Sequence, residues 1–174
     1  MSDNSRKGDT HPPASLAWAR GPRIRELNAR DRLFVLSRNH VGRLAFISHG
    51  RIELLPVHYV FADGAIVGRT SLGTKYMGWL VRDEIVFEVD ESDGLFDWRS
   101  VVVRGMVRIL RPRGPEPERA EYRRAVAAIR TLIPDAFTER DPTPSRGVVF
   151  AIAPLAITGR MASTHDGPSV RGTP

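Results

Sequence analysis

Cysteine is absent from this 174-residue chain. That excludes disulfides, thiolate metal ligands and cysteine nucleophiles together, and it suits a reducing cytoplasm. Lysine is nearly absent: of 26 basic residues only Lys7 and Lys75 are lysines, and the rest are arginine. No apolar run approaches the roughly 18 residues of a membrane span. The opening stretch MSDNSRKGDTHPPAS lacks the apolar core of a signal peptide. The expectation is a cytoplasmic protein with no membrane partner.

Several chemical signatures are missing as well. There is no H-E-x-x-H and no clustered ligand spacing, which argues against a metal site. No G-x-S-x-G elbow marks a serine hydrolase, and no G-x-G-x-x-G marks a dinucleotide fold. DESDG (90–94) superficially resembles a calcium loop. Placing Gly94 at the loop glycine puts Val89 at the first ligand position and Ser100 at the last, so the pattern fails and a solvated acidic turn is expected. The histidines do not cluster: His11 and His165 fall in the tails, His40 and His49 flank a strand, and His58 lies on one.

What remains is a globular composition, with 41% hydrophobic and 26% charged residues, enough for one domain with a real core. The net charge of +6 favours anions. The arginines are scattered, however, with no basic stripe interleaved with aromatics, so a nucleic-acid partner is not expected.

Residues 1–22 read as a polar tail, 23–160 as the folded domain and 161–174 as a second tail. A helix is expected from Glu26 to Arg38, with Asn28 as its cap and Asp31 three residues on, and with Leu33, Leu36 and Phe34 facing the core. Strands follow at 41–48, 52–61 and 65–69, separated by the turn signals His49-Gly50 and Ala62-Asp63-Gly64. TKYMGWLV (74–81) reads as a helical turn. Further strands are expected at 84–90 and 100–110, the latter bent at Gly105. A helix at 118–133 carries Tyr122, Val126, Ile129 and Ile133 as its apolar stripe. A last strand at 147–154 extends into 155–160. Strands in hairpin order imply an antiparallel sheet, and closure into a barrel removes its edges. The expected fold class is mainly β, an antiparallel barrel with helices at its mouths.

VGRTSLGTKY (67–76) resembles a Walker A loop with lysine and threonine exchanged. A triphosphate loop needs a buried parallel strand before it and a long helix after it. Here the preceding strand belongs to a hairpin, and Gly78 interrupts the segment after the loop. Other phosphate chemistry survives: a tight turn at Gly73, hydroxyls from Thr70, Ser71 and Thr74, and cations from Lys75 and Arg69. A plain polar turn with one solvated lysine is the competing reading.

Taken together, GRLAFI, LLPVHYVFADGAIVGRTSLGTK and VFEVDESDGLFDWRSVVVRG, in that order and spacing, resemble the pyridoxamine 5′-phosphate oxidase-like family of flavin-binding split barrels. The likeness covers roughly residues 25–160 and looks closest to the nitroimidazole-reductase-like branch. It implies a six-stranded split barrel that forms a homodimer and holds FMN between subunits. On that resemblance Pro56, Val57, His58 and Tyr59 run along the flavin ring. Arg69, Thr70 and Ser71 lie near the ring edge and ribityl phosphate, Thr74 and Lys75 grip the phosphate, and Trp98, Ser100 and Val101 approach from the next part of the groove. Full oxidases carry two basic residues after the hydroxyl residue of the turn, whereas here Tyr76 follows Lys75. The C-terminal MASTHDGPSVRGTP does not resemble the end that completes a vitamin B6 site. The implied function is an FMN-dependent oxidoreductase acting on a small organic substrate, with no catalytic acid or base identifiable. The same fold binding a deazaflavin cofactor or haem, or a non-enzymatic flavin-binding or sensing dimer, are the alternatives.

Overall fold

A computed structural model of the chain describes residues 22–71 and 84–163. Its first feature is a pair of tight hairpins. Strand β2 (Val41–Ser48) turns into β3 (Arg51–Ala62) through His49 and Gly50, with φ of 51° and 74°. Strand β3 turns into β4 (Ala65–Thr70) through Asp63 and Gly64, with φ of 51° and 75°. Two consecutive positive-φ residues give a turn whose twist matches the flanking strands. The register confirms the turns: Ser48 faces Arg51 and Ala62 faces Ala65.

Strands β5 (Glu84–Gly94), β6 (Asp97–Leu110) and β7 (Val148–Ser163) complete the set. All pairings are antiparallel. The order β7-β4-β3-β2-β5-β6 closes through a β6–β7 pairing into a six-stranded ring. A short strand β1 (Arg23–Glu26) adds to the far end of β7. The fold is the mainly β barrel expected. Gly105 sits where the β6–β7 register shifts. A Cβ there would come within 2.4 Å of the Ala153 carbonyl oxygen, so only glycine allows the strands to close at that bend.

Helix α1 (Ala29–Arg38) starts later than the sequence suggests, because residues 23–26 are taken up by β1. Asn28 caps it by accepting the Asp31 N–H at 2.9 Å. Leu36 faces the core as expected, but Leu33 and Phe34 are exposed and Val35 takes the second buried position. The helix packs on a barrel mouth with only a narrow contact stripe. Helix α2 (Glu116–Leu132) buries Ala125 and Ile129 against the outside of β4 and β7, with Tyr122, Val126 and Ile133 alongside.

The barrel interior is filled by Leu44, Phe46, Tyr59, Ile66, Phe87, Val101, Val103, Phe150 and Ile152. Each such fully buried large side chain contributes about 1.5–3 kcal/mol. Two sequence expectations move. The DESDG stretch is the end of β5 rather than a free turn. The last strand runs unbroken to Ser163, three residues into the presumed tail, because β1 gives it a partner there: Arg23 faces Ser163. The helical turn expected at 74–81 lies outside the described residues. Among those residues, no helix is long and apolar enough to cross a membrane.

Candidate functional site

Alternation along the strands sorts the predicted site residues by face. On β3, Val57 and Tyr59 point into the barrel while Pro56 and His58 are exposed on its outside. The Tyr59 ring meets Phe87 edge-on at 4.8 Å, and its hydroxyl donates to the Leu36 carbonyl at 2.9 Å. Burial pushes the phenol pKa well up, so the group stays neutral. Val101 is likewise a core residue. Any contact these inward residues make with a ligand outside the barrel runs through the backbone. Thr70 is half-buried at the end of β4 and Ser71 is exposed just beyond. Thr74 and Lys75 lie outside the described residues.

His58 and Arg69 meet in a cleft of about 220 Å³ on the outer face of β3 and β4. Helix α2 and the segment after it form the far wall, through Ile129, Ile133, Pro142, Thr143 and Arg146. The cleft therefore has an apolar side and a side rich in N–H donors. Gly68 belongs to its floor. A Cβ at Gly68 would reach the Phe150 ring at 2.5 Å, so the small residue lets β4 lie close over the core.

Arg69 is the organising group. It is almost wholly buried and forms a two-pronged contact with Asp141, Nη1 to Oδ2 at 2.5 Å and Nη2 to Oδ1 at 2.9 Å. Nη2 also donates to Thr143 Oγ1 at 2.7 Å, and the Phe137 ring lies 5.2 Å from the guanidinium carbon. Asp141 further accepts the N–H groups of Phe137 (2.7 Å) and Thr143 (2.8 Å). Hydrogen bonding from Arg69, ahead of those two backbone bonds, holds its carboxyl far below the usual range. Phe137 has φ of 61°, an uncommon backbone region for a bulky residue, stabilised here by its bonded N–H.

The remaining predicted residues lie further round the barrel. Pro56 pairs with Arg43, and the two border a second hollow of about 410 Å³ with Arg38, His40 and Asp90. Arg43 bonds Glu88 at 3.1 Å and also pairs with Asp90. The Ser100 hydroxyl donates to Glu88 at 2.8 Å. Trp98 is half-buried at the start of β6. His58 and Arg69 thus share one cleft, while Pro56, Ser100 and Trp98 do not enter it.

Two groups escape a reading of the sequence alone. Asp141 and Thr143 form an Asx turn, and Asp-x-Thr is its local signature. Nothing in the chain order shows that Arg69 would be their partner. Glu91, within DESDG, accepts from Arg38 Nε at 2.5 Å and from Asn39 Nδ2 at 2.7 Å, with Arg99 at 3.6 Å. Burial pushes the Glu91 pKa up, but these hydrogen bonds and charges outweigh it and leave the carboxyl below its ordinary value. Among the described residues, no group of three or more potential metal ligands occurs.

The outer face of β2, β3 and β5 is unusually apolar for a surface. Ile52 and Leu54 are 80% and 62% exposed, with Ile47 and Val86 nearby. The register sets Ile47 beside Ile52, and Ala45 between Leu54 and Val86.

The sequence profile of the family described as "Pyridoxamine 5′-phosphate oxidase" matches residues 28–161. Solved structures match too. An FAD-binding protein from Mesorhizobium loti is 27% identical over 80% of this chain and 99% of its own, with a TM-score of 0.65. At 24% identity, an FAD-binding protein from Mycobacterium smegmatis shares the fold over 79% of this chain and 98% of its own, with a TM-score of 0.57. A proposed 5-nitroimidazole antibiotic resistance protein from Bacteroides thetaiotaomicron shares the fold at 13% identity, over 82% and 90% of the two chains, with a TM-score of 0.60. No curated protein sequence matches this chain.

Proposed function

We propose, from the premise that this chain belongs to the pyridoxamine 5′-phosphate oxidase family, that it is an FMN-binding flavoprotein that reduces a small organic substrate. The observation that carries the reading is the cleft on β3 and β4. It sets an apolar wall of Ile129, Ile133 and Pro142, with Arg146 beside them, opposite Arg69 and His58 on the strands. A flavin has the matching chemistry: an apolar tricyclic body whose pyrimidine edge carries hydrogen-bond acceptors. When bound, the flavin supplies the hydride chemistry and the protein supplies position and electrostatics.

In this reading His58 and Arg69 meet the cofactor with side chains inside the cleft, Pro56, Ser71, Trp98 and Ser100 approach it from outside the cleft, and Val57, Tyr59, Thr70 and Val101 face it with backbone. Thr74 and Lys75 hold the phosphate. The chain works as a homodimer with the flavin at the subunit interface. The apolar sheet face around Ile52 and Leu54 supports this, since a patch of that kind on a soluble domain marks an interaction surface. Its continuity with Pro56, two residues from Leu54 along β3, supports a flavin groove at the margin of that face.

FAD in place of FMN is the second reading, favoured by the FAD-binding protein of Mesorhizobium loti. The visible spectrum and mass of the molecule that co-purifies decide between FMN, FAD, a deazaflavin and haem. Colourless protein that also fails to quench FMN fluorescence on titration ends the flavin reading. Bound flavin with no turnover across nicotinamide donors and small acceptors points to a sensing or storage role instead.

A further inference from the structure

Arg69 and Asp141 are 72 residues apart in the chain, and their side chains are 4% and 3% exposed. A buried cation persists only where its charge is matched and its donors are used. Asp141 supplies both, in the planar two-pronged geometry natural to guanidinium and carboxylate. Thr143 takes a further N–H, so three of the five donors of the guanidinium are committed to the wall of the cleft. The pair as a unit has no net charge.

That neutrality bears on what Arg69 can recognise. A phosphate gains most from a net cation, and beside this pair it would also feel the Asp141 carboxylate. A neutral carbonyl acceptor gains from a rigidly aimed N–H and suffers little from the compensated charge. The pair is also fixed in position: Asp141 is held by the Phe137 and Thr143 N–H groups, and the Phe137 ring lies against the guanidinium.

We infer that Asp141 is a positioning residue that turns Arg69 from a phosphate counter-charge into a fixed hydrogen-bond donor for a neutral acceptor, the carbonyl edge of the flavin ring. The inference rests on the flavin reading above. It assigns the phosphate to other residues and gives the segment 133–147 a part in the site.

The test compares FMN with riboflavin, which has the same ring and no phosphate. Fluorescence titration of the wild-type protein and Arg69→Gln with both ligands gives four dissociation constants. Arg69→Gln should weaken both ligands by the same factor, about tenfold or more for a lost bond to a charged donor, so the preference for FMN over riboflavin stays constant. Thr143→Ala keeps the ion pair and covers the case in which Arg69→Gln does not fold; it should weaken both ligands by a smaller common factor. A fall in FMN affinity alone in either variant would mean that Arg69 meets the phosphate, and the inference is overturned. Unchanged affinity for both ligands in Arg69→Gln overturns it too. Wild-type protein that binds neither ligand refutes the flavin reading itself, which is a separate outcome.

Discussion

The Tyr59 hydroxyl donates to the Leu36 carbonyl at 2.9 Å, tying the strand that floors the cleft to the last turn of α1. Carbonyls in a last helical turn have no partner within the helix, and this one is buried with Leu36. Tyr59→Phe should therefore cost about 1–3 kcal/mol for the orphaned acceptor. Urea unfolding measures it. Flavin affinity should stay near wild type, because the ring of Tyr59 faces the core.

Gly42 and Gly68 let strands lie over aromatic rings. A Cβ on Gly42 would come within 2.2 Å of the Phe87 ring and one on Gly68 within 2.5 Å of the Phe150 ring. Gly42→Ala should destabilise by about 1–3 kcal/mol through overpacking, read as a lowered midpoint in thermal unfolding. Gly68→Ala should do the same and also weaken flavin binding, since Gly68 belongs to the cleft floor.

The Asp141 carboxyl is held below the usual range by Arg69. A depressed folded-state pKa stabilises at pH values above the ordinary carboxylate range, near pH 4, and the benefit is lost as pH falls through the folded-state value. Asp141→Asn should lower the melting temperature at pH 7. Its melting temperature should also fall less steeply than that of wild type between about pH 5 and pH 2. Parallel slopes for the two proteins would refute the assignment.

Leu54→Glu puts a charge in the centre of the exposed apolar face. It should convert the proposed dimer to monomer in sedimentation experiments while the barrel stays folded by circular dichroism. Flavin affinity should fall with dimerisation if the proposed flavin groove borders that face.

Lys75→Ala should weaken FMN binding at least tenfold, the effect of losing a charged hydrogen-bond donor, and leave riboflavin binding unchanged. Equal FMN affinity in wild type and variant would reduce the stretch to a turn.

The barrel is legible in the sequence because its signals are local. Period-2 patterning and the His49-Gly50 and Asp63-Gly64 turns each act within a few residues. Sequence and structure part where distant partners decide the outcome. Glu26 reads as the start of a helix until β7 offers residues 23–26 an edge, and the end of β7 looks like tail until β1 covers it. The inward and outward roles of His58 and Tyr59 follow from alternation alone. The partnership of Arg69 with Asp141 does not, since it depends on where α2 delivers the segment 133–147. Glu91 reads as part of an acidic turn because its partners Arg38 and Asn39 lie more than 50 residues upstream.

Strand β7 pairs with β1, β4 and β6 and closes the ring. It is also the last of the described elements in chain order. The hairpins β2–β3–β4 and β5–β6 can form as they emerge, but the β4 and β6 edges stay open until residues 148–163 have cleared the exit tunnel. Unpaired edges template association with other chains, and long-range closure is slow. Barrel completion therefore waits on β7, and a chain truncated before β7 should be recovered in aggregates rather than as a folded intermediate.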